Sequence, residues 1–282
     1  MPHFLIIGVM KCGTSATKAF LEHHPDLNNA RQEAYFFNND NKYYKQGFEW
    51  YFNLFAQPKR PDVLNYEKSP TYYKSVRAQP RIKEMNETIK IVNIVCDNVR
   101  RTLSRYLHIE SNVKIKKFPR KRLTAIGGTL DGFTEKLRKT IKSFKSFLDE
   151  IRRKEGDGSI DGLMRALFRR FKQRQRPFGI QATKDPIELI LSDGFYAVFH
   201  RNWQSYFPNN QLMVIDGNQF LTEPWRPLKR LQHFVGVQEF INEDNFVVPE
   251  SGLPCFRESK DDHPACLKST KGRSTRFSFP EV

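Results

Sequence analysis

The sequence predicts an α/β protein, a parallel sheet flanked by helices, and three observations carry that prediction. Short apolar runs rich in β-branched residues recur along the chain, and helical periodicities lie between them. The first apolar run also ends in a glycine- and lysine-containing turn that opens a helix. The runs are Phe4–Val9, Ile89–Val95 and Leu212–Ile215, with Val63–Glu67 as a fourth. They are of the kind buried on both faces of a parallel sheet. Helical patterns occupy Ser15–His23, Arg77–Met85, Val99–Ile109, Gly194–Tyr206 and Trp225–Val235. A chain of 282 residues fits one large domain or two small ones. Its 39% hydrophobic and 13% aromatic content is enough for a substantial core, which excludes a disordered chain.

The first strand and its turn carry the first chemical signal. Phe4-Leu5-Ile6-Ile7-Gly8 runs into Val9-Met10-Lys11-Cys12-Gly13-Thr14, and the helix follows from Ser15. Glycines let the backbone approach an anion, first-turn N–H groups of the helix point at it, and Lys11 adds a full positive charge. The layout is a P-loop-like phosphate cradle. It is not a Walker A loop, because Lys11 precedes the second glycine and the Ser/Thr for magnesium is missing. A nucleotide hydrolase of that class is therefore excluded. Ligands of open α/β sheets bind at the carboxyl ends of strands, where this turn falls.

Charge is the second signal. The chain carries a net charge of +16, and the stretch from Ser111 to Arg176 holds 20 Lys and Arg against 7 Asp and Glu. Such an imbalance points to a polyanionic partner. The basic stretch has its own helical period: Leu130, Phe133, Leu137, Ile141, Phe144, Leu148 and Ile151 recur at three- and four-residue steps. Leu163–Phe171 behaves similarly, and Gly127-Gly128 and Gly156-Asp157-Gly158 punctuate the stretch. Two readings stand side by side: a helical hairpin with a solvated cationic outside, or a groove for a polyanion. Nucleic acid is not expected, because no recognisable module accompanies the charge.

The opening run is too short for a signal peptide or a membrane span, and no other run reaches the ~18 apolar residues a span needs. Cys255 and Cys266 bracket a Pro- and Asp-containing segment and read as a closed disulfide loop. Cys12 and Cys96 lie beside apolar strands and read as small buried thiols. No Cys/His zinc spacing occurs, and no metal is expected. Asn86-Glu87-Thr88 is a glycosylation acceptor in a polar turn. With the disulfide loop it points to a secretory-pathway lumen.

Several further blocks follow the loop in order. They are His24-Pro25-Asp26-Leu27, Glu33-Ala34-Tyr35-Phe36-Phe37, Glu67-Lys68-Ser69-Pro70-Thr71-Tyr72-Tyr73, Phe195-Tyr196 with Trp203, Asp216-Gly217, Cys255 to Cys266, and Lys271-Gly272-Arg273. In this succession the chain resembles the heparan sulfate sulfotransferases. The resemblance is nearest to the glucosamine 3-O-sulfotransferases and to the sulfotransferase domain of the N-deacetylase/N-sulfotransferases. It implies a sulfotransferase fold spanning residues 1–282 as one domain, with the basic helical stretch of about 110–178 inserted.

The resemblance also implies a donor, 3′-phosphoadenosine 5′-phosphosulfate (PAPS), and an acceptor, the glucosamine residues of heparan sulfate or a heparin-like polyanion. Glu33 matches the family's base, which takes a proton from the acceptor as it attacks sulfur. Lys11 matches the lysine that offsets charge on the leaving phosphate. Cys12, Gly13, Thr14 and Ser15 complete the donor loop. Lys68 matches a lysine facing sulfate and acceptor, and Ser104 a serine on the 3′-phosphate. Lys271, Gly272 and Arg273 match a loop that closes over the phosphates. His108, four residues after Ser104, shares its helical face and matches a histidine of the N-sulfotransferase domain.

The departures lie mostly on the acceptor side. Cys96 stands where the 3-O enzymes carry an arginine on the 3′-phosphate, so Arg100 or Arg101 is left to supply that charge. Ser15 replaces an arginine, Tyr35 a histidine and Asn38 an aspartate. The block Ser69-Pro70-Thr71-Tyr72-Tyr73 reads like the 3-O version, which favours 3-O-sulfation. His108 and Phe37-Asn38 read like the N-sulfating domain, which keeps N-sulfation as the alternative. A catalytically impaired heparin-binding relative is the third. The family resemblance implies a glycoprotein enzyme of the Golgi lumen.

Overall fold

The computed structural model describes residues 1–58, 60–155, 159–173, 185–249 and 254–266. In chain order the first half forms β1 (Phe4–Gly8), α1 (Thr14–Leu21), β2 (Leu27–Asn29), α2 (Gly47–Phe52), β3 (Leu64–Lys68), α3 (Ala78–Met85) and β4 (Lys90–Val95). Then come α4 (Asn98–Lys114), α5 (Lys121–Ala125), α6 (Leu130–Glu155), α7 (Ile160–Gln173), α8 (Pro186–Ser192) and α9 (Tyr196–Gln204). The chain continues through β5 (Leu212–Asp216), α10 (Trp225–Val235), β6 (Phe246–Val247), β7 (Cys255–Phe256) and β8 (Ala265–Cys266). Contacts divide the chain into two compact units. Among the described residues, one draws on 1–97, 164–173 and 195–266, the other on 98–163 and 185–194.

The first unit holds a five-stranded sheet in the order β2-β3-β1-β4-β5, with every pairing parallel. All five residues of β1 are buried, as its uninterrupted apolar run requires. β1 lies between β3 and β4, so the chain builds outward first on one side and then on the other. A crevice opens at such a reversal, at the carboxyl end of β1. The four expected strands are present, and β3 ends at Lys68. β2 carries no strand pattern in the sequence, because Leu27-Asn28-Asn29 has one apolar residue and owes its pairing to β3. Nor do β6, β7 and β8, two-residue strands of a separate antiparallel sheet. There Cys255 pairs with Cys266 across the ladder, and the expected disulfide closes the loop.

Cys12 and Cys96 are not separate thiols, as the sequence suggested. They form a second disulfide, with Cα atoms 5.3 Å apart. The two cysteines follow β1 and β4. Strand-flanking position announces burial, but only parallel pairing of those two strands brings their carboxyl ends together.

The second unit is helical. Its core gathers Tyr106 and Ile109 of α4, Ile126, Phe133 of α6, and Ile187 and Ile190 of α8. The expected stripe of α6 is only partly inside: Phe133 and Phe144 are buried, whereas Ile141 is 54% exposed. The neighbouring Thr140 turns inward instead and donates to Asp185 at 3.0 Å. Among the described residues no helix is long and apolar enough to cross a membrane.

Candidate active site

The loop after β1 is shaped chiefly by its own backbone. The Val9 N–H donates to Ile94 O of β4 at 2.8 Å, and the Cys12 N–H turns back onto Val9 O at 3.1 Å. Lys11 (φ 78°) and Gly13 (φ 101°) are both left-handed, which suits glycine and is uncommon for lysine. Gly13 then starts α1, and the Ala16 and Thr17 N–H groups both reach its carbonyl at 2.9 Å. No side chain caps this helix and no acid lies in its first turn. Its amino end is therefore open to an anion.

The Cys12–Cys96 disulfide ties the loop to the end of β4. Tyr196 of α9 donates to Cys96 O at 2.8 Å. At Gly217 a Cβ would stand 2.3 Å from Cys12 O, so only glycine lets the chain leave β5 this close to the loop.

Beside the loop, three sequence-predicted residues meet. The Lys68 ammonium, 4% exposed, pairs with a Glu33 carboxylate oxygen and lies 3.4 Å from Ser15 Oγ in the first turn of α1. Tyr35 donates its phenol to the other Glu33 oxygen. The Glu33 side chain keeps 29% exposure, so it remains open to a substrate while its neighbours hold it.

Beneath this cluster lies Glu67. Successive strand residues point to opposite faces, so Lys68 reaches the site while Glu67 enters the core. Glu67 is fully buried and accepts from the Ala34 N–H (3.2 Å), the Ser69 hydroxyl and the Tyr51 phenol (3.2 Å). Burial pushes its carboxyl up to about 7, against the opposing hydrogen bonds from Ser69, Ala34, Tyr72 and Tyr51. Lys42 donates to Ala34 O at 2.6 Å; burial lowers its pKa and the charge of Glu67 opposes that. The aromatic rings of Phe36, Phe37, Tyr51 and Tyr72 pack around one another here.

Ser104 and His108 belong to α4 of the helical unit. His108 Nδ1 lies 3.3 Å from Asn112 Nδ2, and its ring meets Phe118 edge to face. Arg101 is 1% exposed and donates to Ile190 O and Thr102 Oγ1, with Asp193 at 3.7 Å. Arg101, one of the two arginines considered for the 3′-phosphate, makes these contacts inside that unit. Lys271, Gly272 and Arg273 lie outside the described residues. Glu67, Ser69, Tyr51 and Lys42, which frame the cluster, are not among the residues that the sequence pattern marks. No local signal marks them, because their partners lie far away in the sequence.

A family model, the sulfotransferase domain, matches residues 1–247. The chain belongs to the sulfotransferase domain family. This sulfotransferase domain is 28% identical over 276 residues to heparan sulfate glucosamine 3-O-sulfotransferase 3B1 of Mus musculus, covering 97% of this chain and 56% of the relative. It is 27% identical over 285 residues to heparan sulfate glucosamine 3-O-sulfotransferase 3A1 of Homo sapiens, covering 100% of this chain and 55% of the relative. The chain thus spans about half the length of the curated relatives it matches. In three dimensions the sulfotransferase domain is similar to the crystal structure of a sulfotransferase from Alicyclobacillus acidocaldarius. The TM-score is 0.58 at 21% identity, with 86% of this chain and 84% of that one covered, a likeness of fold.

Proposed function

We propose that this protein transfers a sulfuryl group from PAPS to glucosamine residues of heparan sulfate, at the 3-O position. The observation that carries the reading is the Lys68 ammonium joined at once to Glu33 and to Ser15 at the mouth of an open helix amino end. In this reading a base and a cation lie beside an anion cradle. The names of the relatives, 3-O-sulfotransferases of heparan sulfate glucosamine, support the acceptor class.

The cradle fits an anionic donor: α1 has neither a capping side chain nor an acid in its first turn, and Lys11 lies in the loop. Lys11, Gly13, Thr14 and Ser15 would hold the phosphosulfate, with Cys12 contributing through the loop it fixes. When bound, the donor supplies the sulfuryl group. Glu33 accepts the proton of the attacking sugar hydroxyl. Lys68 orients Glu33 and offsets negative charge gathering between acceptor and donor, while Lys11 does the same at the leaving phosphate. Ser104 on the 3′-phosphate, the closing loop of Lys271, Gly272 and Arg273, and a proton-transfer role for His108 complete the reading, on the resemblance alone. Residues 1–282 act in it as one catalytic domain with a basic helical insertion.

The polymer is met by charge. Between Lys136 and Lys145, α6 exposes five bases, Lys136, Arg138, Lys139, Lys142 and Lys145, and no acid lies among them. The two disulfides suit an oxidising lumen, and we assign the protein to the Golgi. Incubation with PAPS and desulfated heparan sulfate, followed by disaccharide analysis, tests the reading. 3-O-sulfated glucosamine is expected. N-sulfated product would move the assignment to N-sulfation, and tight heparin binding without any sulfated product would leave a binding protein.

A further inference from the structure

Glu67 is a fully buried titratable group with no part in the chemistry above. Its surroundings point in one direction. Its Oε1 accepts from the Ala34 N–H at 3.2 Å and from the Ser69 hydroxyl. The Ser69 oxygen in turn accepts the Tyr35 N–H at 3.0 Å. Two consecutive backbone donors of the turn that carries Glu33 are therefore tied to one carboxylate, the first directly and the second through a hydroxyl. Its Oε2 takes the Tyr51 phenol at 3.2 Å, which anchors the carboxylate to α2.

The turn needs such an anchor. Tyr35 adopts φ 49°, a left-handed conformation that a bulky residue holds only when its surroundings impose it. In that conformation its phenol reaches Glu33. In its ionised form a carboxylate suits the role, because it then only accepts and can take three donors on two oxygens at once. The other ionisable groups around it are the phenols of Tyr51 and Tyr72 and the ammonium of Lys42.

We propose that Glu67 is a positioning residue, whose buried carboxylate holds the 33–35 turn in its left-handed form and thereby presents Glu33 to the acceptor. The proposal rests on the reading of Glu33 as the base. It separates the carboxylate that reacts from the one that aims it.

Three variants test it, each assayed for kcat, for KM of both substrates, and for affinity toward the desulfated donor nucleotide by calorimetry. Glu67→Ala strands the Ala34 N–H, the Ser69 hydroxyl and the Tyr51 phenol; kcat is expected to fall about 100-fold with nucleotide affinity within about twofold of the parent. Glu67→Gln keeps the shape and one acceptor, and the Tyr51 hydroxyl can turn to accept from the new amide; most of the rate is expected back. Ser69→Ala cuts only the link to Tyr35, and about a tenfold loss of kcat is expected. It also decides the matter if Glu67→Ala fails to fold. Unchanged kcat in both Ser69→Ala and a folded Glu67→Ala would overturn the proposal, as would parallel losses of kcat and nucleotide affinity. Full activity of Glu33→Gln would overturn the reading of the base instead, whatever the Glu67 series shows.

Discussion

The loop of residues 8–15 and the turn of residues 33–35 stand side by side, joined through Lys68, yet different forces hold them. The loop is fixed by backbone hydrogen bonds, by two left-handed residues and by a covalent bond to the end of β4. The turn hangs from a buried carboxylate by side-chain hydrogen bonds. A covalent tie is indifferent to pH and open to reductant; a buried carboxylate is the reverse. The loop should therefore answer to redox conditions, and the turn to protons.

The largest effect expected is on the chemistry itself. Glu33→Gln should lower turnover by about a thousandfold, while calorimetry with the desulfated donor nucleotide shows affinity within about twofold of the parent. A variant with full turnover would remove the base from the turn and dissolve the comparison. Next comes the covalent tie of the loop. Cys12 and Cys96 are 84 residues apart, and closing a loop of that length restricts the unfolded chain. The double variant Cys12→Ser, Cys96→Ser should lose about 4 kcal/mol in denaturant unfolding, by a similar amount at pH 5 and pH 8. A loss that varied strongly with pH would mean that the loop, too, depends on a titrating group.

The third test is the proton linkage of Glu67. Its carboxyl is raised from 4.5 to about 7 in the folded protein, so the folded state binds this proton more tightly than the unfolded one. The associated stability is fully present below about pH 4.5 and is lost as pH rises through about 7, a change of about 3 kcal/mol. Glu67→Gln should flatten that part of the stability profile, while the cysteine double variant keeps it. A profile that keeps its slope in Glu67→Gln would locate the proton elsewhere. The smallest effect belongs to the helical unit. Lys142→Glu with Lys145→Glu should weaken heparin binding about tenfold at physiological salt, with the difference vanishing near 1 M salt. Turnover of a short acceptor should stay unchanged. Equal binding by the variant at low salt would show that α6 is simply a solvated face.

How far the sequence reaches is clearest at three residues. The turn that carries Lys11 could be read directly, because a strand, a glycine turn and a helix lie consecutively in the chain. Lys68 and Glu33 could be matched to a family pattern, but their ion pair across 35 positions needed β3 beside β1 and the turn after β2 folded over it. Glu67 was not legible at all. Its neighbours on either side, Tyr66 and Lys68, say nothing of the Ala34 N–H or the Tyr51 phenol that make its burial tolerable.

Taken alone, then, the sequence determined the kinds and order of the principal elements, the glycine- and lysine-containing turn after β1, and the concentration of positive charge in one stretch. These depend on periodicity and composition, which are properties of neighbours along the chain. Tertiary structure alone decided the strand order, the Cys12–Cys96 bond, the burial of Arg101 and the anchoring of the Glu33 turn to Glu67. Each of these requires groups distant in sequence to exclude water together. A buried charge or polar group is tolerated only where the fold delivers its partners.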